Sequence, residues 1–241
     1  MGGYKKIGMD LYQIIFNEDY MQKEWHMEYG ERAGLLFLLD HIKPDVSIEI
    51  GTYLGGSLGP ISHYSRKVYT LDLRHDDKLK NDFPNVEFIT GDSKKTLPPL
   101  IDHLNKSEEF FLEFALIDGD HTAEGVIKDI GCLLNYKPRK PFYILIHDSF
   151  NPDVRAGILK AKWESNPHVA AVELDFVHGI FQQRSDIYKQ MWGGLALAVL
   201  LPVKRDSKLI INQRQGLAFT LLLNVSAHNS KSGYKLFPRN G

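Results

Sequence analysis

The chain has 241 residues, 43% of them hydrophobic and 24% charged, with a formal net charge of -1. That length supports one substantial core, and the balanced charge excludes the basic face of a nucleic-acid binder and the acidic tail of a solvating segment. The single cysteine, Cys132, excludes an intramolecular disulfide and a cysteine-built zinc site. The longest apolar run, 195–202, is too short to cross a bilayer. No cleavable leader follows Met1, so a cytoplasmic protein without membrane or nucleic-acid partners is expected.

Residues 10–29 mix Tyr, Trp, Met and acidic groups, which predicts a helical N-terminal extension, about 1–43, able to cover a ligand site. Within it Leu35, Leu36, Leu39 and Ile42 fall on one side of a helix over 31–42, and Pro44 stops it. Short runs rich in Val, Ile and Phe follow at 46–50, 67–72, 86–90, 112–118 and 142–147, with helical spacing between them. That alternation predicts repeated βα units and a mostly parallel sheet. The clearest helix follows His121. It carries Ala123, Val126, Ile127, Ile130, Leu133 and Leu134 on one face and Glu124, Lys128 and Asp129 on the other, with Pro138 past its end. Beyond the fifth strand, a helix from 153 to about 163 and strands at 169–176 and 195–202 are expected, the two strands forming an antiparallel edge. One domain over 1–203 is expected, then an extension over 204–241 in which 217–225 packs on the rest and the last dozen residues are poorly ordered.

The segment 47–57, SIEIGTYLGGS, is a buried strand running into a glycine turn. Glycines let backbone approach a ligand, and a helix N-terminus presents free N–H groups to it. The glycines at 51, 55 and 56 do not keep G-x-G-x-x-G spacing, which weakens a dinucleotide site. The second strand ends in Asp72, 21 residues after Gly51, where a carboxylate can accept from both hydroxyls of a ribose. The third ends in Gly91-Asp92-Ser93, a polar pair suited to an adenine edge.

The fourth strand ends in Asp118, Asp120 and His121, and the fifth in His147 and Asp148. Charges placed directly after very apolar strands are costly unless they act. Carboxylates on neighbouring strand ends can hold a hard cation, which lowers the pKa of a bound hydroxyl. His121 or Asp120 would then take the proton. The plainer alternatives are that Asp120 and Thr122 cap the next helix and that His147 is structural. Trp192-Gly193-Gly194 is read chiefly as packing. For Tyr20, Trp25 and Tyr29, core packing is favoured over an aromatic lid.

E-I-G-T-Y-L-G-G-S resembles the first motif of the class I S-adenosylmethionine-dependent methyltransferases, in particular small-molecule O-methyltransferases of the catechol and macrocin type. The resemblance covers about residues 30–150 and, more loosely, 195–202. It implies a Rossmann-like α/β fold: a seven-stranded, mostly parallel sheet with helices on both faces and an antiparallel last strand. By position it implies that Gly51, Tyr53 and Ser57, with Glu49, hold the methionine and ribose of the cofactor. Asp72 would hold the ribose, Asp92 and Ser93 the adenine, and Asp118 would lie near the sulfonium. The metal ligands of its metal-dependent members map onto Asp118, His147 and Asp148, and their general base onto His121, with Asp118 and Asp120 as further catalytic candidates. His147 stands where those members often carry an acidic residue, and imidazole suits Zn²⁺, Mn²⁺ or Fe better than Mg²⁺. The implied cofactors are S-adenosylmethionine and a divalent cation, magnesium or another. The implied partner is a small-molecule acceptor hydroxyl, on a sugar or a phenolic natural product, and a homo-oligomer is left open. Three alternatives stand beside this: a nicotinamide-dependent oxidoreductase, a non-catalytic binding module on the same fold, and an oxidative enzyme with Asp/His-bound iron.

Overall fold

The structure is a computed structural model that describes residues 25–229. The expected extension before residue 25, Tyr20 included, and the last dozen residues lie outside them. In chain order the elements are α1 (Tyr29–Ile42), β1 (Val46–Ile50), α2 (Leu58–Tyr64), β2 (Lys67–Asp72), α3 (Asp77–Lys80), β3 (Val86–Thr90), α4 (Ser93–Lys106), β4 (Leu112–Ile117), α5 (Ala123–Leu133) and β5 (Phe142–His147). They continue with α6 (Pro152–Lys160), a 3₁₀ turn (Trp163–Ser165), β6 (Val169–Phe181), β7 (Met191–Leu200), β8 (Ile211–Asn212) and α7 (Gly216–Val225).

The strands form one sheet in the order β3-β2-β1-β4-β5-β7-β6-β8. β7 is antiparallel to both neighbours, β5 and β6, while the other pairings are parallel. Every residue of β1 is buried, so the sheet needs apolar cover on both faces. One face receives Leu35, Leu36 and Leu39 of α1 with Leu58 and Ile61 of α2. The other receives Leu97, Leu100 and Ile101 of α4, Val126, Ile130 and Leu133 of α5, and Val154 and Ile158 of α6. The chain winds outward from β1 through β2 and β3, then returns to lay β4 on the opposite flank. That reversal opens a crevice at the carboxyl ends of β1 and β4, where ligands bind in open α/β sheets.

The sheet is thus the expected Rossmann-like one, with a two-residue eighth strand added beyond the expected seven. β8 pairs with β6 at Val172 and Glu173. β6 and β7 run longer than their apolar stretches. Gly193 and Gly194 lie inside β7 at φ 73° and 81°, and Gly179 is paired with Gly193. A Cβ on Gly179 would stand 2.2 Å from that of Phe150, so close packing, not hydrophobicity, extends this ribbon. The apolar segment 217–225 is a helix with no buried residue. Leu217 and Leu221 are exposed, while Phe219 packs edge-on against Phe150. The fully buried Arg155–Asp175 ion pair, at 2.9 and 3.3 Å, ties α6 to β6, and Asp175 also accepts from Gln215 N–H ahead of α7. Among the described residues no helix is long and apolar enough to cross a membrane.

Candidate active site

Gly51 ends β1 at φ 93°. A Cβ there would lie 2.1 Å from the carbonyl oxygen of Asp118. Only glycine lets the first and fourth strand ends approach so closely. Past it, the Thr52 and Tyr53 N–H groups donate to Asp72 Oδ2 at 2.9 and 3.0 Å. Asp72 therefore pins the glycine loop as well as lining the cleft. Beneath the loop, Ser57 and Thr70 hydroxyls donate to the two oxygens of Glu49, each at 2.7 Å, and Thr70 also meets Thr52 at 2.6 Å. Burial pushes the Glu49 carboxyl up to about 8, although both hydroxyl bonds oppose the rise. Glu49 and Ser57 are buried and support the loop from below; they are not on the cleft wall. Tyr53 stands on that wall, at φ 45° and largely exposed.

At the end of β3, Asp92 caps α4 by accepting from Lys94 N–H at 3.0 Å. Ser93 donates to Asp129 Oδ1 at 2.7 Å. Asp129 sits on the polar face of α5 by its sequence pattern, yet it is 1% exposed and lines the cleft. Burial pushes its carboxyl up to about 6. A helical period cannot reveal this, because Asp129 is buried by the β3–α4 turn and not by the sheet. The glycine one helical turn earlier, Gly125, is the sequence signal that this face meets something.

Asp118, His121, His147 and Asp148 each offer a ligand atom within 4.8 Å of the others. His147 Nδ1 is 2.9 Å from Asp118 Oδ1 and 3.4 Å from Asp148 Oδ2. His121 Nε2 is 3.0 Å from Asp148 Oδ2 and 3.6 Å from Asp118 Oδ1. Asp148 is held at φ 55°, and its Oδ1 accepts from Gly193 N–H at 2.6 Å. Asp120 stays outside the group: it accepts from Thr122 N–H at 3.0 Å and lies 3.9 Å from Lys94, while Thr122 caps α5.

A fifth member had no sequence signal beyond lying on the first helix. Glu31 is 1% exposed, and its Oε1 lies 3.2 Å from His147 Nε2. Neither atom completes a hydrogen bond of good geometry. A side chain at 193 would strike Glu31, its Cβ 2.9 Å from Oε1, which explains the glycine there.

The electrostatics follow from this crowding. Burial alone would raise Asp118, but His147 and His121 hold its carboxyl well below the usual carboxylate range. Asp148 is lowered in the same way, chiefly by His147. Hydrogen bonds to Asp118 and Asp148 push His121 up to about 9. His147 is raised well above its ordinary value by Asp118, Asp148 and Glu31, although burial opposes its charge. The surrounding carboxylates thus bias both imidazoles toward their protonated forms. Two carboxylates and two imidazoles, His147 turning Nδ1 toward Asp118 and Asp148, fit a divalent cation, and the mixed N/O set suits Mn²⁺, Fe²⁺ or Zn²⁺ better than Mg²⁺.

The glycine loop, the β3 end and the cluster share one cleft of about 760 Å³, within the size range of small-molecule sites. Trp192 and Gly193 form part of its wall, the indole edge-on to His121 at 5.7 Å. Trp25 is core instead, beneath the Arg32 guanidinium at 5.0 Å, and Tyr29 is exposed.

No family model matches the sequence, and no curated protein is similar to it. Its fold is shared with solved methyltransferases. The MycE methyltransferase of the mycinamycin biosynthetic pathway, in complex with Mg, SAH and mycinamycin VI, superposes with a TM-score of 0.55 at 13% identity, covering 83% of this chain and 57% of that one. An O-methyltransferase from Bacillus cereus in complex with SAH gives 0.52 at 19% identity, over 81% and 93%. The O-methyltransferase TomG from Streptomyces achromogenes, in complex with SAM, gives 0.50 at 13% identity, over 71% and 80%. The chain therefore spans a little over half the length of MycE.

Proposed function

We propose that the chain transfers a methyl group from S-adenosylmethionine to a hydroxyl of a small molecule, with a divalent cation at Asp118, His147 and Asp148. The observation that carries this is the double role of Asp118. Its backbone carbonyl lies against Gly51 of the loop, and its carboxylate belongs to the cluster. Loop and cluster thus face one cleft, as a sulfonium donor and its acceptor require. That MycE binds Mg and SAH on the same fold supports the reading, as does the absence of dinucleotide glycine spacing.

In this reading Gly51 and Tyr53 receive the methionine part, Asp72 the ribose, and Asp92 and Ser93 flank the adenine. The acceptor oxygen forms its bond to the methyl carbon as the carbon–sulfur bond breaks, so the residues need only position it and take its proton. A divalent cation, when bound, supplies positive charge that lowers the pKa of the acceptor hydroxyl. His121, 41% exposed and open to the cleft, would take the proton and pass it to water once a cation held by Asp118 and Asp148 has displaced its own proton. The carboxylates that hold protons on His121 and His147 are those that would hold the cation, so proton and cation compete. Asp120 positions the start of α5. Acceptors with vicinal or phenolic hydroxyls, as on sugars and phenolic natural products, suit such a site.

Calorimetry with S-adenosylhomocysteine and Mn²⁺, and transfer of labelled methyl to phenol and sugar panels, test the proposal. Asp118→Ala is expected to abolish Mn²⁺ binding and to lower transfer at least about 100-fold. His121→Ala should lower transfer by about 100-fold with Mn²⁺ binding retained in part. Tighter binding of NAD than of S-adenosylhomocysteine, or transfer unchanged in Asp118→Ala, would refute it.

A further inference from the structure

We infer that Glu31 orients the His147 imidazole, keeping hydrogen on Nε2 so that Nδ1 faces Asp118 and Asp148 bare, and so makes His147 a nitrogen ligand. The inference rests on the reading of that cluster as a cation site. It starts from two atoms that have only each other. Glu31 Oε1 and His147 Nε2 lie 3.2 Å apart. Both are sealed from solvent, and among the described residues neither has a hydrogen-bond partner elsewhere. A buried carboxylate oxygen without a donor carries a desolvation cost that only a donor relieves. The nitrogen beside it is the available donor, and it donates only while it carries hydrogen.

The surroundings hold the carboxylate to this task. Its other oxygen, Oε2, accepts from Glu28 N–H at 2.6 Å and closes a capping box at the start of α1. Buried Arg32, one residue on, ties the approach to α1 down by donating to the Met27 carbonyl at 2.8 Å and the Trp25 carbonyl at 2.5 Å. Gly193 leaves Oε1 its room, since a Cβ there would lie 2.9 Å from it. Across the ring, His147 Nδ1 is 2.9 Å from Asp118 Oδ1 and 3.4 Å from Asp148 Oδ2. A neutral imidazole carries one hydrogen, so the nitrogen that donates it decides which nitrogen is left to ligate. Carboxylates behind ligating histidines fix ring and tautomer in this way. Glu31 is thus a positioning residue: it acts on the cation through His147.

The test measures Zn²⁺ binding by calorimetry in the unsubstituted protein and in Glu31→Gln. Glutamine keeps the volume and the cap: its carbonyl accepts from Glu28 N–H, which turns its amide N–H toward His147 Nε2. That favours hydrogen on Nδ1, so Zn²⁺ should bind about 10–100-fold more weakly. Leu38→Ala truncates a buried side chain on the same helix. It should lower the thermal unfolding midpoint and leave Zn²⁺ affinity unchanged. A third measurement needs no variant: ¹⁵N-histidine NMR of the Zn²⁺-loaded protein should find the His147 hydrogen on Nε2. Zn²⁺ affinity unchanged in Glu31→Gln would overturn the inference and leave the cation reading intact. Equal weakening in Leu38→Ala would overturn it as well, assigning Glu31 to the capping of α1 alone, and so would a His147 hydrogen found on Nδ1. Failure of the unsubstituted protein to bind Zn²⁺ would overturn both readings.

Discussion

Replacing Glu49 by glutamine should change how stability depends on pH. Glu49 is fully buried, and its carboxyl is raised from an ordinary 4.5 to about 8 by burial. Below pH 4.5 the folded and unfolded chains both hold the proton, so pH has no effect through this group. Between 4.5 and about 8 the folded chain holds one proton more than the unfolded chain. Stability therefore falls as pH rises, by about 1.36 kcal/mol per pH unit. From pH 5 to 8 the loss through Glu49 alone comes to about 4 kcal/mol, a large share of a typical folding free energy. Glutamine can still accept from one hydroxyl and donate to another of the Ser57, Thr70 and Thr52 set, so the loop geometry persists while the titration disappears. Urea unfolding followed by tryptophan fluorescence, at steps from pH 5 to 8.5, measures both proteins. Groups common to both, such as Asp129, cancel in the difference. The difference should move by about 4 kcal/mol in favour of Glu49→Gln as pH rises. Parallel stability curves would mean that Glu49 is ionised in the folded chain at pH 5, and that the desolvation reasoning is wrong.

Gly51→Ala would place a Cβ 2.1 Å from a carbonyl oxygen at φ 93°, and should cost about 2–4 kcal/mol and abolish S-adenosylhomocysteine binding. Gly131→Ala, a helical position with open space around it, is the control; it should gain about 0.5–1 kcal/mol and leave binding unchanged. Asp175→Ala strands the buried Arg155 charge and removes the acceptor of Gln215 N–H. A loss of about 3–5 kcal/mol is expected, read as a lowered midpoint in thermal unfolding.

The amino-acid pattern alone determined the first five strands almost to the residue, because each is a short apolar run, and β1, β2, β4 and β5 are buried between helices while β3 keeps the pattern at the sheet edge with no buried residue. It also determined which strand ends carry charge, and so which residues face the crevice of a parallel sheet. The glycine at 51 was legible for the same reason: a turn directly after a buried strand is a local feature.

The tertiary structure decided what has no local period. It set Glu49 and Ser57 beneath the loop and not on the cleft wall, since which side of a buried strand faces a ligand depends on the helices packed there. It brought Glu31 from the first helix to His147, 116 positions along the chain, and buried Asp129 under a turn that its helical face does not disclose. It left the apolar helix α7 exposed. Periodicity reports burial against the nearest large surface. The groups that complete this cleft are buried by single turns and distant side chains, and only the folded chain puts those beside them.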